Sequence, residues 1–298
     1  MTTGPAWRFP PRSILVPLDL TDASLGAWEQ AGALAARFGA QRKGLYVQEW
    51  LHAALGLGGG DPYLTAELSR LALEKFRARL GDEADVSSAP GDAEDTIVSW
   101  GRDLGFDLVV MGTHARTGLA RALQGSVAEA VVRRATIPVL VAREPRARMG
   151  KILAPVSLET HSFGALAYAA ELAARLQAEL ILLHVLNAPL YGDAAAARGS
   201  SELLLRALEA LPKALREGCR PRTVLAFGEP AEQIVLAAAE ADAVVLAAHR
   251  RGFLQDALLG TTAERVLRQC PTPVWTVPTA AAPARAQSQP ATGWVPAK

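Results

Sequence analysis

Along most of the chain, short apolar runs alternate with longer stretches whose apolar residues recur at helical spacing. Ile14 to Leu18 reads as a strand, and the Ala- and Leu-rich stretch from Leu25 to Phe38 as a helix. Asp22 or Ser24 is placed to cap its start, and Gly39 stands where a C-terminal glycine belongs. The same reasoning predicts strands at Arg42 to Val47, Val86 to Ala89, Asp107 to Met111 and Val139 to Ala142. Helices are predicted at Tyr63 to Leu80, Ala93 to Leu104 and Ser126 to Arg134. Strands this short and apolar on both faces belong to a parallel sheet covered by helices on both sides. The alternation implies right-handed crossovers and a doubly wound α/β layer.

The chain also contains its own near-copy. SILVPLDL at Ser13 to Leu20 resembles KILAPVSL at Lys151 to Leu158, a shift of 138 residues that also aligns LAARFGA with LAARLQA and Val47 with Val185. Gly91 and Ile97 match Gly228 and Ile234 at a shift of 137. At a shift of 135, Asp107, His114, Gly125, Glu129 and Pro138 match Asp242, His249, Gly260, Glu264 and Pro273. Small loop deletions produce such drift, so two homologous halves are expected, spanning 12–143 and 150–278. Ile152, Leu180, Thr223, Ala243 and Val274 mark the strands of the second half. A short basic linker runs from Arg143 to Gly150, and the Ala-, Pro-, Gln- and Ser-rich tail, 279–298, is expected to be disordered.

Composition narrows the function classes. Thirty-one Lys and Arg against 30 Asp and Glu give a net charge of +1, which argues against nucleic acid or a membrane as partner. Two cysteines, Cys219 and Cys270, make no disulfide framework and no zinc site, and they point to a reducing compartment. No apolar stretch approaches the ~20 residues of a membrane span, and MTTGPAWRFPPRS has no secretory apolar core. A cytoplasmic protein is expected.

In doubly wound sheets ligands sit beyond the carboxyl ends of the strands, where the strand order reverses. Pro17-Leu18-Asp19 follows the first strand, and Asp19 is either a hydrogen-bond acceptor for a ribose hydroxyl or ligand amine, or a turn carboxylate. After the fourth strand comes Gly112-Thr-His-Ala-Arg-Thr-Gly-Leu-Ala-Arg-Ala-Leu-Gln-Gly-Ser126. Gly112 permits a close backbone approach or a positive φ. Gly125-Ser126 opens a helix whose free N–H groups and dipole attract an anion, with the Ser126 hydroxyl as an added donor. The bland alternative is that the glycines make the turn and Ser126 caps the helix.

GTHARTGLARALQGS closely resembles the signature of the universal stress protein family: glycine, two residues, glycine, nine residues, then glycine and Ser or Thr. The proline-x-aspartate of strand one and the turns GDAEDTI and GEPAEQI are similar to that family too. The resemblance implies two tandem Rossmann-like domains, each an open five-stranded parallel sheet flanked by helices, with ATP bound in some members. In those members the strand-one aspartate meets the ribose (here Asp19, after Pro17) and the second-strand backbone meets adenine (here Val47). The loop glycines and Gly-Ser hold the phosphates, which maps to Gly112, His114 and Ala115 in the loop, then Gly125, Ser126 and Val127. The implied cofactor is ATP, with or without magnesium, in domain 1 only.

Departures from the signature set limits. Ala115 stands where the second motif glycine is expected; a positive φ there would cost about 1–2 kcal/mol, roughly a 5- to 30-fold loss of affinity. In the second half Ser157 replaces Asp19, Ala247 replaces Gly112 and Arg250 replaces Ala115, leaving Gly260-Thr261. That degenerate site is expected to be nucleotide-free, with Arg250 and Arg251 either solvated or clasping another anion. His114 and His249 have no partner that would make them general bases, so a loop-ordering role is expected. His52, His161 and His184 show no metal-ligand spacing. Cys219 is expected at the surface or half-buried, Cys270 at a strand entrance, and Trp7 and Trp294 in tails that serve a partner or are disordered.

Three functions compete. The leading one is a stress-response regulator that binds ATP or a related adenine nucleotide in domain 1 and has at most weak ATPase activity. The second is a nucleotide-free interaction protein in which the fifth strands, around Val139 and Val274, join the halves as a pseudo-dimer or join two chains as a homodimer. A protein partner is implied but not identified. The third, an ATP-cleaving ligase or nucleotidyl transferase, needs a Ser-Gly-Gly loop after strand one or a paired-histidine motif, and LDLTDAS has neither.

Overall fold

A computed structural model describes residues 7–49, 62–81, 83–112, 127–143, 149–157, 163–186, 194–248, 250–251 and 258–279. The first half contains β1 (Ser13–Leu18), α1 (Asp22–Phe38), β2 (Gln41–Gln48), α2 (Pro62–Leu80), β3 (Val86–Pro90), α3 (Ala93–Asp103), β4 (Leu108–Gly112), α4 (Val127–Arg134) and β5 (Val139–Ala142). The second contains β6 (Lys151–Pro155), α5 (Phe163–Leu176), β7 (Glu179–Leu186), α6 (Ala194–Glu209), α7 (Lys213–Cys219), β8 (Arg222–Phe227), α8 (Pro230–Ala238) and β9 (Ala243–Ala248). It ends with β10 (Arg250–Arg251), β11 (Leu258–Leu259), α9 (Thr261–Gln269) and β12 (Val274–Pro278).

Within each half the strands of the large sheet are parallel, in the orders β3-β2-β1-β4-β5 and β12-β9-β6-β7-β8. The two blocks merge into one ten-stranded sheet because β12 pairs antiparallel with β5. Trp275 faces Leu140, Val274 faces Val141 and Thr276 faces Val139. At the repeat shift of 135, Trp275 is the equivalent of Leu140, and the pair Val274–Val141 is the equivalent of the pair Val139–Thr276, so the seam is symmetric about Trp275 and Leu140. That is the signature of an isologous twofold contact, here formed within one chain. Because the blocks run in opposite directions, their carboxyl ends lie at opposite edges of the sheet.

Side chains alternate between two cores, one on each face. Ile14, Val16, Leu108, Val110, Leu140 and Trp275 join α1, α2, α5 and α6 on one side. Leu15, Val109, Met111, Val139, Val141 and Val274 join α3, α4, α8 and α9 on the other. This is the arrangement the uninterrupted apolar strands predicted.

Local signals hold with one amendment. Gly39 ends α1 at φ +70, a left-handed conformation suited to glycine. The N-cap is neither Asp22 nor Ser24 but Thr21, whose extended backbone lets its Oγ1 accept from Ser24 N. Asp107 Oδ2 accepts from Arg12 N at 2.8 Å and Ser13 N at 3.3 Å; its counterpart Asp242 accepts from Gly150 N at 2.7 Å and Lys151 N at 2.9 Å. The repeated aspartate therefore ties down the entrance of each first strand.

Two expectations at the periphery are corrected. Trp7 is no loose tail: its ring meets Tyr168 edge-on at 5.1 Å, and Phe9 touches both Tyr168 and Phe38, drawing the N-terminal segment across both halves. Cys219 is fully buried rather than exposed or half-buried, because α7 packs its last turn into the core. Thr279 is tied to Ala248 O through its N–H and hydroxyl; Trp294 and the rest of the tail lie outside the described residues.

Candidate functional site

The crevice begins where β1 and β4 part. They pair only at Ile14 with Leu108 and Leu15 with Val109. Beyond Leu15, β1 stays paired with β2 through Leu18, so the opening lies on the β4 side, at the reversal of strand order. Pro17, which has no N–H for a ladder bond, sits in this splayed part. Val47 lies near the carboxyl end of β2, opposite Ala89 of β3, and Gly112 closes β4 opposite Ala142.

Asp19 is exposed just past β1. Its Oδ1 accepts from Thr21 N at 3.1 Å and Thr21 Oγ1 at 2.5 Å, so the turn role anticipated for it is real. A carboxylate has about four acceptor sites, so a turn role and acceptance from a hydroxyl are chemically compatible. Leu20, next in the chain, holds a left-handed φ of +63, unusual for a branched side chain, and thereby turns the backbone from strand to helix.

Gly112 has a steric reason of its own. A Cβ there would lie 2.3 Å from Ala23 O and 2.5 Å from its carbonyl carbon. The end of β4 thus presses against the first turn of α1, and the glycine serves backbone contact, not a positive φ. Val127 begins α4 at the same edge. His114, Ala115, Gly125 and Ser126 lie outside the described residues.

On the β2–β3 side, GDAEDTI forms a turn with Gly91 at φ +143, and Asp92 caps α3 by accepting from Asp95 N at 2.9 Å. Glu49, after β2, accepts from Ala93 N at 3.2 Å. GEPAEQI repeats the device with Gly228 at φ +127, Glu229 as cap and Pro230 at the first helical position. Burial, reinforced by the charge of Asp92, raises the Glu94 carboxyl above its ordinary value, while Arg134 and Arg133 oppose the shift.

The second half splays in the same way: β6 pairs with β9 only at Ile152 and Leu153. Ser157 occupies the exposed place of Asp19, and Ala247 packs against the core where Gly112 stands in the first half. Arg250 and Arg251 pair through β10 with Leu259 and Leu258 of β11, an antiparallel ribbon that the strand pattern did not reveal. Gly260 caps α9 without a side-chain bond. His249 lies outside the described residues. His184 of β7, at the position of Tyr46, places Nδ1 2.8 Å from Val156 O just past β6, a link between these two neighbouring strands that no spacing rule disclosed.

Among the described residues, no group of three or more His, Cys, Asp or Glu is placed to hold a metal ion, and no helix is long and apolar enough to cross a membrane.

The fold and its crevices define a tandem doubly wound α/β protein with paired five-strand units. A model of the universal stress protein family matches residues 11–143 and again 149–278, and the chain belongs to that family. It is 33% identical over 143 residues to a universal stress protein of Methanocaldococcus jannaschii, covering 45% of this chain and 84% of that one. It is 32% identical over 178 residues to one from Mycobacterium bovis, covering 56% of this chain and 60% of the relative, so the match spans three-fifths of that protein. The fold matches a universal stress protein from Archaeoglobus fulgidus with a TM-score of 0.67 at 22% identity, over 90% of this chain and 96% of that one. A Pseudomonas aeruginosa structure described as a putative universal stress protein gives 0.62 at 21% identity, over 91% of this chain and 94% of that one.

Proposed function

We propose that the first half binds ATP or a related adenine nucleotide and that the protein acts as a stress-response regulator in the cytoplasm, not as an efficient enzyme. The observation that carries this reading is the convergence of Asp19, Val47, Gly112 and the start of α4 at one edge of the sheet, around the parting of β1 and β4. Asp19 would accept from the ribose, and the backbone near Val47 would face adenine. Gly112, Gly125, Ser126 and Val127 would cradle the phosphates beside His114 and Ala115. Magnesium, where present, would arrive on the triphosphate, which supplies oxygen ligands that Mg2+ prefers. The second half, with Ser157 and Ala247 at the matching places, is proposed to be nucleotide-free.

Isothermal titration of the whole chain with ATP and magnesium tests this. One saturable site, weakened at least tenfold by Asp19→Ala combined with Ser126→Ala, is the expected result. Two equal sites would overturn the assignment to the first half. The absence of heat at millimolar ATP would favour the second reading, a nucleotide-free interaction protein built on the self-complementary β5–β12 seam.

A further inference from the structure

We infer that Arg268, in the second half, is a positioning residue for the nucleotide crevice of the first half, acting through Glu129. This rests on the proposal that the first half takes the nucleotide. Glu129 is the third residue of α4, and Arg268 stands in the last turn of α9. The helices face each other across the seam, and Arg268 Nη2 donates to Glu129 Oε1 at 3.1 Å and Oε2 at 3.2 Å. Glu129 is only 7% exposed and Arg268 26%, so solvent screens the contact weakly. Arg268 also donates to Glu264, the counterpart of Glu129, and Arg133, the counterpart of Arg268, lies 3.4 Å from Glu129.

The placement matters because of charge. A glutamate at the third position of a helix is able to fold back on the first-turn N–H groups, and its negative charge repels any other anion there. The proposed phosphates would approach that same turn. Arg268 holds the Glu129 carboxylate toward the seam and offsets its charge, which keeps the start of α4 receptive to an anion. The second half thus contributes to the first half's site although its own crevice sits at the opposite edge of the sheet.

This predicts opposite signs for two variants of the full chain titrated with ATP and magnesium. Arg268→Gln weakens binding by roughly three- to tenfold, and Glu129→Gln tightens it by a similar factor. The double variant returns close to wild type, and Arg268→Lys keeps most of the affinity. All the differences shrink in high salt. A purely structural seam contact instead has both single variants weakening binding in step with a lower unfolding midpoint, and that result, or unchanged affinity in both, overturns the inference while leaving the nucleotide site standing. Glu129→Gln keeps the test decisive even if Arg268→Gln does not fold. Failure of the wild-type chain to bind ATP would overturn the proposed function itself, and this inference with it.

Discussion

Trp275 lies opposite Leu140 in the antiparallel pairing of β12 with β5, each the counterpart of the other in the repeat, and both are fully buried. The centre of the seam is therefore part of the core, with Thr276 Oγ1 donating to Val139 O at 3.2 Å beside it. Removing the indole leaves a cavity that two well-packed blocks fill poorly. Trp275→Ala is expected to cost about 3–5 kcal/mol in urea unfolding. Both halves should still unfold in one transition, because each uses the other's fifth strand as a neighbour. An unchanged midpoint would show that the seam carries no stability.

The matched aspartates make a second test. Asp107 and Asp242 each accept two backbone N–H groups at the entrance of β1 and β6. Replacement by alanine leaves those donors with weaker partners, at about 1–3 kcal/mol for each site. The two sites belong to different halves and tie down different backbone segments, so the double variant should show additive loss to within about 0.5 kcal/mol. A strongly non-additive result would mean that the strand entrances communicate.

The two-half architecture was legible because strand composition and the repeat agree: Ile14, Leu108 and Val139 fill the same structural places as Ile152, Ala243 and Val274. The repeat also exposed Asp107, Glu129 and Glu264 as positions worth explaining, although not their roles. Those depend on where Arg12 N or the Arg268 guanidinium arrives in space, and no linear spacing encodes that. Asp19 was readable as an acceptor, while the choice of Thr21 as its partner depended on the left-handed turn at Leu20. At Gly112 the sequence allows a close approach or a positive φ, and only packing against Ala23 selects the former. The burial of Cys219 has no local sequence signal, because α7 is a short helix in a stretch with few apolar residues.

The N-terminal aromatics bear on how the halves are held. Phe9 packs edge-on against Phe38 at 5.5 Å and against Tyr168 at 5.2 Å, one ring from each half. Arg37 adds a bond to Arg175 O at 3.3 Å, again between counterparts in the repeat. Phe9→Ala should lower stability by about 2 kcal/mol through lost area and ring contacts. Phe9→Leu, which keeps apolar volume, should recover much of the loss. Equal behaviour of the two variants in thermal unfolding would argue that the segment is dispensable.

Alkaline pH should expose the remaining buried acids. Burial raises the Cys219 thiol above its ordinary value of 9.0, and burial, again the dominant cause, raises the Tyr168 hydroxyl above 10.0. In each case the folded chain keeps a proton that the unfolded chain gives up. The stabilisation is complete below the unfolded values and erodes as pH climbs past about 9, first through the thiol and then through the phenol. Each group adds a slope of up to about 1.4 kcal/mol per pH unit. Urea midpoints between pH 8 and 11 should fall less steeply in Cys219→Ala and in Tyr168→Phe than in the wild type. Parallel slopes in all three chains would show that neither proton is held more tightly by the fold, and that alkaline unfolding begins with other groups.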